Sequence, residues 1–374
     1  MYEREANNSM QRTVRCAPPL NQNVGRHSRC RRRSAMNNPQ QSVMDILFGR
    51  WRSQILYAGV KLGVFDNQRA GPKRADEVAS ELKLHGPLTY RLLRALASLG
   101  LLSEDRNRSF SLTASGEFLR GDHPQTLRGI TLLEEGPEHY AVWKHLCTIV
   151  REGGADGFIL EFGRPIFVHT VEDRGYSAVF NDAMSSLSGG ETAMVLEALA
   201  TYDFSTISHV CDVGGGHGHL LCSLPAKHPH LRGTVYELPS VLEQRELLWA
   251  EKMNLATRCE YVAGDMFTEV PSADAYFLKH ILHDWNGVDC VRILSNIHKA
   301  AAPNARVFVA EYVVPGPGTP HFAKLFDIHM MCATGGRERT EEEYASLFER
   351  AGWRYRTTWY PPSRLMGVVE AIQA

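Results

Sequence analysis

The chain has 374 residues, 44% of them hydrophobic, and its 41 basic and 42 acidic side chains leave a formal net charge of -1. That length exceeds the usual single domain and the apolar share is enough for two cores, while a charge so near zero gives no whole-protein case for binding nucleic acid or an anionic membrane. No apolar run reaches membrane-spanning length and no signal-peptide core is present, so the sequence reads as cytoplasmic. The eight cysteines include no C-x-x-C pair and are expected to be reduced thiols, with no metal bound.

Residues 1 to 38 are polar, with Arg26, Arg29, Arg31, Arg32 and Arg33 set among Pro, Asn and Ser. A stretch that buries so little apolar surface is expected to be a disordered tail. An Arg-rich, acid-poor leader is also what an organelle transit sequence looks like, but no amphipathic helical period accompanies it, and Met36 offers a natural start. From Ser42, the residues Val43, Ile46, Leu47, Trp51, Ile55, Leu56, Val60 and Leu62 recur at spacings of three and four, which predicts one helix running to a stop at Leu62-Gly63. Its apolar stripe is wide enough to face a second chain as well as its own.

A short helix over 74–82, a longer one over 87–99 ended by Gly100, and a two-stranded wing over 101–104 and 109–113 then describe a winged helix-turn-helix within a domain of residues 39–124. Such a fold raises the possibility of a DNA-binding regulator. However, Lys73, Arg74, Lys83, Arg91, Arg94, Arg106 and Arg108 are offset by Asp76, Glu77, Glu81, Glu104 and Asp105, which leaves too weak a phosphate footprint. The expected role is dimerisation and closure of an active site. Residues 125–200 read as helical and aromatic-rich, a linker that supplies walls for a flat apolar acceptor, Met184 among them.

Residues 201–374 alternate strand and helix, with strands expected at 209–213, 233–237, 259–263, 275–280 and 306–313 and a closing antiparallel pair over 353–360 and 365–372. This is an α/β pattern with a mostly parallel sheet, whose ligands lie at the carboxyl ends of the strands. The first of those ends carries Asp212-Val213-Gly214-Gly215-Gly216-His217-Gly218. Glycines at alternate positions let a ligand lie on the peptide planes, but G-x-G-x-G is not the dinucleotide spacing, and Asp212 would repel a pyrophosphate while suiting an ammonium group. Nineteen residues beyond Gly218 stands Glu237, placed for ribose hydroxyls, and the next strand ends in Gly264-Asp265-Met266-Phe267, an acid and an apolar pair suited to adenine. Three acids at successive strand ends read as a site for S-adenosylmethionine.

The fourth strand leads into His280-Ile281-Leu282-His283-Asp284-Trp285, and Gly335-Gly336-Arg337-Glu338-Arg339-Thr340 follows later. Together with Asp212-Val213-Gly214-Gly215-Gly216, Glu237-Leu238-Pro239 and Gly264-Asp265-Met266-Phe267, these segments resemble the large S-adenosylmethionine-dependent O-methyltransferases, the group that includes caffeic acid and acetylserotonin O-methyltransferases. The resemblance covers about residues 42 to 373. It implies a class I methyltransferase sheet behind a mainly helical winged-helix dimerisation domain, a homodimer, and a hydroxylated aromatic or conjugated small-molecule acceptor. It also implies that His283 is a general base whose ring Glu311 and Glu338 orient. Asp212, Gly214, Gly216, Gly218, Glu237, Asp265, Met266 and Lys279 would hold the cofactor, with Trp285 bordering the adenine; Met184, Met330 and Met331 would wall the acceptor. Two departures stand out: the ribose acid, usually Asp, is Glu237, and Asn286-Gly287-Val288-Asp289 follows where acids are more frequent. A homologue that binds the cofactor without transferring its methyl is the alternative, and retention of His283 argues against it. A phenol with pKa near 10 is only about one part in a thousand ionised at neutral pH, so a histidine of pKa near 6.5 within hydrogen-bond reach has a defined task.

Overall fold

The computed structural model describes residues 38–243 and 245–374. The Arg-rich tail expected at the start therefore lies outside the described residues, apart from Asn38. Two compact units divide after Phe48. The first contains the helix Pro39–Leu47, with Pro39 in its first turn and the Asn38 side chain accepting from the Gln40 N–H at 3.1 Å. It buries none of its own residues, and Val43, Ile46 and Leu47 are exposed. The single helix expected from Ser42 to Leu62 is thus interrupted: the Phe48 N–H is shared between the Met44 and Ile46 carbonyls, which tightens and ends the turn, and a new helix, Gly49–Lys61, begins at the glycine.

The second unit opens with that helix and with Ala75–Glu81 and Gly86–Ser98. Val60, Val78, Leu93 and Leu96 of these helices, with Val64 and Phe65 of the short helix Val64–Asn67, pack with Leu102 and Phe110 in one core. The wing is formed by β2 (Leu102–Glu104) and β3 (Ser109–Leu112), and a strand the periodicity does not predict, β1 (Lys73–Arg74), adds to β3 in the order β1-β3-β2. Several basic groups of this region already have partners: Lys73 pairs with Glu81, Arg74 with Asp76, and the guanidinium groups of Arg94 and Arg108 lie over Tyr90.

The middle of the chain is helical, as expected, and its longest helix, Arg174–Ala198, starts where the Asp173 carboxylate accepts from the Tyr176 N–H. Phe158 and Tyr176 are core residues here, packed with Leu133, Val142 and Ala333.

The large sheet has seven strands: β4 (His209–Val213), β5 (Arg232–Glu237), β6 (Cys259–Ala263), β7 (Ala275–Lys279), β8 (Arg306–Glu311), β9 (Trp353–Trp359) and β10 (Gly367–Gln373), in the order β6-β5-β4-β7-β8-β10-β9. The first five pair in parallel, and β10 and β9 close the edge antiparallel. Alternate residues feed two apolar layers. Cys211, Val213, Tyr276, Leu278, Val307 and Val309 meet Ile293, Leu294 and Ile297 on one face; Val210, Phe277, Phe308 and Ala310 meet Leu220, Leu221 and Val195 on the other. Each such aliphatic side chain contributes about 1.5–3 kcal/mol when fully buried, so the strands are buried on both faces and lack polar alternation. The chain runs outward from β4 to β5 and β6 and returns to β7 on the far side of β4. The carboxyl ends of β4 and β7 therefore flank a switch point, where open parallel sheets bind ligands.

Candidate active site

Strand β4 delivers Asp212 to that switch point, and the chain turns over glycines. Gly214, Gly216 and Gly218 have φ of +68°, +56° and +86°, a region that L side chains rarely adopt. A Cβ on Gly214 would strike Ile281, and one on Gly218 would meet Val235 and the Tyr261 hydroxyl at 2.8 Å, whereas one on Gly216 would meet nothing within 4 Å. The loop is packed from below and open above Gly216, a cradle with room for a ligand.

Asp212 is 1% exposed, and its Oδ1 has no hydrogen-bond partner. Burial raises its pKa to about 7, with Lys279 opposing and Glu237 adding to the rise. Glu237, at the end of β5, accepts from the Gly216 N–H at 2.9 Å and the Leu238 N–H at 2.7 Å. Its extra methylene is thus taken up by folding the carboxylate back against the glycine loop, and burial raises its pKa. Asp265 is used locally, since its Oδ1 accepts from the Phe267 N–H at 2.9 Å within its own turn. Phe267 and Trp285 meet edge to face at 4.7 Å, forming an apolar shelf that Met266 adjoins in the same core.

Lys279, at the end of β7, pairs with Glu191 at 3.1 Å, and the other oxygen of Glu191 faces His280 Nε2 at 2.9 Å and accepts from the Tyr312 hydroxyl at 3.3 Å. Burial opposes ionisation of Glu191, but His280 and Lys279 outweigh it and hold the carboxyl well below the usual range. His280 has φ +55°, so the chain leaves β7 through a strained residue held by this network. The sequence analysis singles out Lys279 alone; Glu191 lies 88 residues away on the helix Arg174–Ala198, and no local pattern marks it.

His283 is 4% exposed. Its Nδ1 faces Glu338 Oε1 at 2.7 Å, and its Nε2 lies 3.9 Å from Asp284 Oδ1. Glu311, expected at the ring, instead grips the main chain: its Oε1 accepts from the N–H groups of Ile281 and His283, both at 3.2 Å, and its other oxygen is bonded by the Tyr344 hydroxyl. It sits at the end of β8, and from there its carboxylate is taken up by the backbone N–H groups of the segment after β7. Burial opposes charging of His283, but Asp284, Glu338 and Glu311 outweigh it and push its pKa up to about 10.

The loop that carries Glu338 is fastened to the loop that carries the histidine. The Arg337 N–H donates to the His283 carbonyl at 2.8 Å, and Arg339, 2% exposed, donates to the Leu282 and Trp285 carbonyls, both at 2.8 Å. A Cβ on Gly336 would run into that same His283 carbonyl oxygen, so this position requires glycine. The Asn286 side chain caps the helix Gly287–Ala300 through the Val288 and Asp289 N–H groups, so the departure after Asp284-Trp285 is a helix cap.

Of the expected acceptor walls, Met330 is 4% exposed and Met184 40% exposed, with Met331 half-buried. The rings beside His283 are His280 at 4.9 Å and Phe326 at 6.0 Å. Phe326 belongs to the helix Phe322–Ala333 and has no motif to mark it.

Comparison with known proteins identifies the family. Residues 143–354 match the O-methyltransferase domain family and residues 44–121 the O-methyltransferase dimerisation domain. The chain belongs to the S-adenosylmethionine-dependent O-methyltransferases. It is 32% identical to the phenazine O-methyltransferase PhzM of Lysobacter antibioticus, over 88% of this chain and 95% of that one. It is 36% identical to the mitomycin biosynthesis 6-O-methyltransferase of Streptomyces lavendulae, over 84% and 89%. The crystal structure of human N-acetylserotonin methyltransferase in complex with S-adenosylmethionine superposes with a TM-score of 0.79 at 26% identity, covering 91% of this chain and 99% of that one. S-adenosylmethionine is thus the co-substrate of this O-methyltransferase, and the α/β fold with a helical dimerisation region is that of its family.

Proposed function

We propose that this O-methyltransferase methylates a hydroxyl of an aromatic or conjugated small molecule, with His283 as general base and no metal ion in the transfer step. The contact that carries the reading is His283 Nδ1 to Glu338 Oε1 at 2.7 Å: a carboxylate on Nδ1 keeps the proton there and leaves Nε2 as acceptor. S-adenosylmethionine supplies an electrophilic methyl group bound to a sulfonium. The acceptor oxygen forms the new C–O bond as the C–S bond breaks, and its proton passes to His283 Nε2. The imidazolium so formed is stabilised by Asp284 and Glu338. Because the methyl group arrives activated, positioning accounts for much of the remaining acceleration.

Asp212, the glycine loop, Glu237, Asp265, Met266, Lys279 and Trp285 are assigned to the donor. Support comes from the unpartnered Asp212 oxygen, whose acid would ionise against an incoming ammonium, and from the space above Gly216. Met184, Met330 and Met331, with Phe326, are assigned to the acceptor, whose aromatic character rests on phenazine and mitomycin enzymes being relatives. A homodimer is supported by the dimerisation-domain match and by the exposed Val43, Ile46 and Leu47. Among the described residues no helix is long and apolar enough to cross a membrane, and a cytoplasmic location is part of the same proposal. Incubation with S-adenosylmethionine and a panel of phenols and fused-ring hydroxy compounds, read by mass spectrometry, tests it: a gain of one methyl group on an acceptor oxygen is expected, and methylation confined to nitrogen or carbon would overturn the assignment.

A further inference from the structure

A second polar cluster lies one aromatic ring away from the base. Glu134 ends the helix Arg128–Glu134, His139 lies in the helix Pro137–Val142, and His329 comes from the helix Phe322–Ala333. The Nδ1 atoms of His139 and His329 face the same oxygen of Glu134, Oε2, at 3.5 and 3.6 Å, and all three donor atoms lie within 4.8 Å of one another. Both separations exceed the usual hydrogen-bond range, about 2.7–3.2 Å. They match what a tetrahedral ion with bonds of about 2.0–2.1 Å imposes, because its ligands stand about 3.3–3.4 Å apart.

The surroundings point the same way. His139 is 2% exposed, and its Nδ1 has no hydrogen-bond partner, an unusual state for a buried polar atom. Its Nε2 faces the buried Tyr176 hydroxyl at 2.9 Å, the kind of outer contact that sets tautomer and orientation in metal-bound histidines. With the proton on Nε2, a bare Nδ1 lone pair confronts a carboxylate, a repulsive arrangement that a cation between them relieves. His329 is fixed by the ring of Phe326 at 5.3 Å and that of Trp143 at 6.1 Å. The Glu134 side chain is 32% exposed, whereas those of His139 and His329 are 3% and 11% exposed, so an ion has a way in along the carboxylate.

We propose that Glu134, His139 and His329 form a binding site for a divalent transition-metal ion, zinc by the character of two imidazoles and one carboxylate, with a further coordination position open to water or to a ligand. Phe326 stands between this site and the base, its ring 5.3 Å from His329 and 6.0 Å from His283. The ion is therefore placed beside the catalytic histidine and takes no part in removing the hydroxyl proton. The inference does not depend on the identity of the acceptor or of the base, and its test uses the metal alone.

Full-length protein stripped with a chelator and desalted is titrated with Co(II), followed by visible absorption, and with Zn(II), followed by equilibrium dialysis. One ion per chain is expected, with the d–d bands of four- or five-coordinate Co(II) and no thiolate charge-transfer band. Glu134→Gln and His329→Gln should each weaken binding by at least about tenfold. No uptake by the wild-type chain, or equal uptake by the wild type and both variants, overturns the proposal. Should a variant fail to fold, X-ray absorption on the zinc-loaded wild type decides: two imidazole ligands with no sulfur support the site, and a sulfur ligand overturns it.

Discussion

Asp212 and Glu237 reach the glycine loop from β4 and β5, strands adjacent in the sheet, and much of the site proposed for the donor there is main chain: positive-φ glycines and the N–H of Gly216. The proposed base, His283, at the neighbouring strand end is assembled otherwise. His283 is positioned by Glu311, Glu338 and Arg339, which lie 28, 55 and, through the Leu282 carbonyl, 57 residues along the chain. A binding cradle can be built from one strand–turn–helix unit because backbone geometry is local. A positioned imidazole needs one carboxylate on its ring and others on its backbone, and Glu338 and Glu311 come from segments that only the completed sheet brings together. Damage should therefore separate: changes on the base side alter turnover and its pH dependence, and changes on the donor side alter binding.

The sharpest break in that comparison is His283→Gln. It should lower kcat by about two to four orders of magnitude and leave the dissociation constant for S-adenosylmethionine near wild type by calorimetry; unchanged kcat would remove His283 as the base. Glu338→Gln should come next, with a smaller loss of kcat and a pH profile displaced downward. With the pKa of His283 pushed up to about 10, the free base is formed only as pH rises, so wild-type kcat should climb with pH on the alkaline side, and removing a carboxylate should move that limb to lower pH. An unmoved limb would place the titrating group elsewhere.

The same shift bears on stability. The folded pKa of His283 lies above the unfolded value of about 6.5, so its ion-pairing contribution is complete below about pH 6.5 and is lost as pH rises toward about 10. Thermal melts of wild type and His283→Gln should therefore converge over that interval; a constant gap would refute the linkage. Gly336→Ala should cost at least about 3 kcal/mol by denaturant titration, the upper end of overpacking costs, because the added methyl group would strike the His283 carbonyl oxygen and also crowd Thr334 Oγ1 and the Asp284 main chain. On the donor side, Glu237→Ala should weaken cofactor binding with little change in kcat at saturation, and equal binding would remove Glu237 from the donor site. The smallest effect concerns the wing: with Lys73 and Arg74 already paired to acids, the full chain should show no sequence-specific retention of duplex DNA at physiological salt, and a specific complex would reopen the regulator reading.

The sequence by itself determined the parts whose physics is local. Apolar runs of five or six residues ended by acids and glycines located β4 and β6 to the residue and β5 and β7 to within one. The alternate glycines marked a loop that needs positive φ, and His283 and Glu338 stood in motifs whose order and spacing resembled the family, with Glu311 implied only by that resemblance. Periodicity alone overran the first helix, since the sharing of the Phe48 N–H between two carbonyls leaves the apolar pattern intact. Only the tertiary structure decided what each acid grips. Glu311 takes the main chain and Glu338 takes the ring because of where β8 and the loop after Ala333 set their side chains. Glu191 joins Lys279 and His280 because the long helix Arg174–Ala198 packs over the end of the sheet. His139 and His329 converge on Glu134 across 190 residues of chain. Such meetings depend on packing between distant elements, and no spacing along a single chain records them.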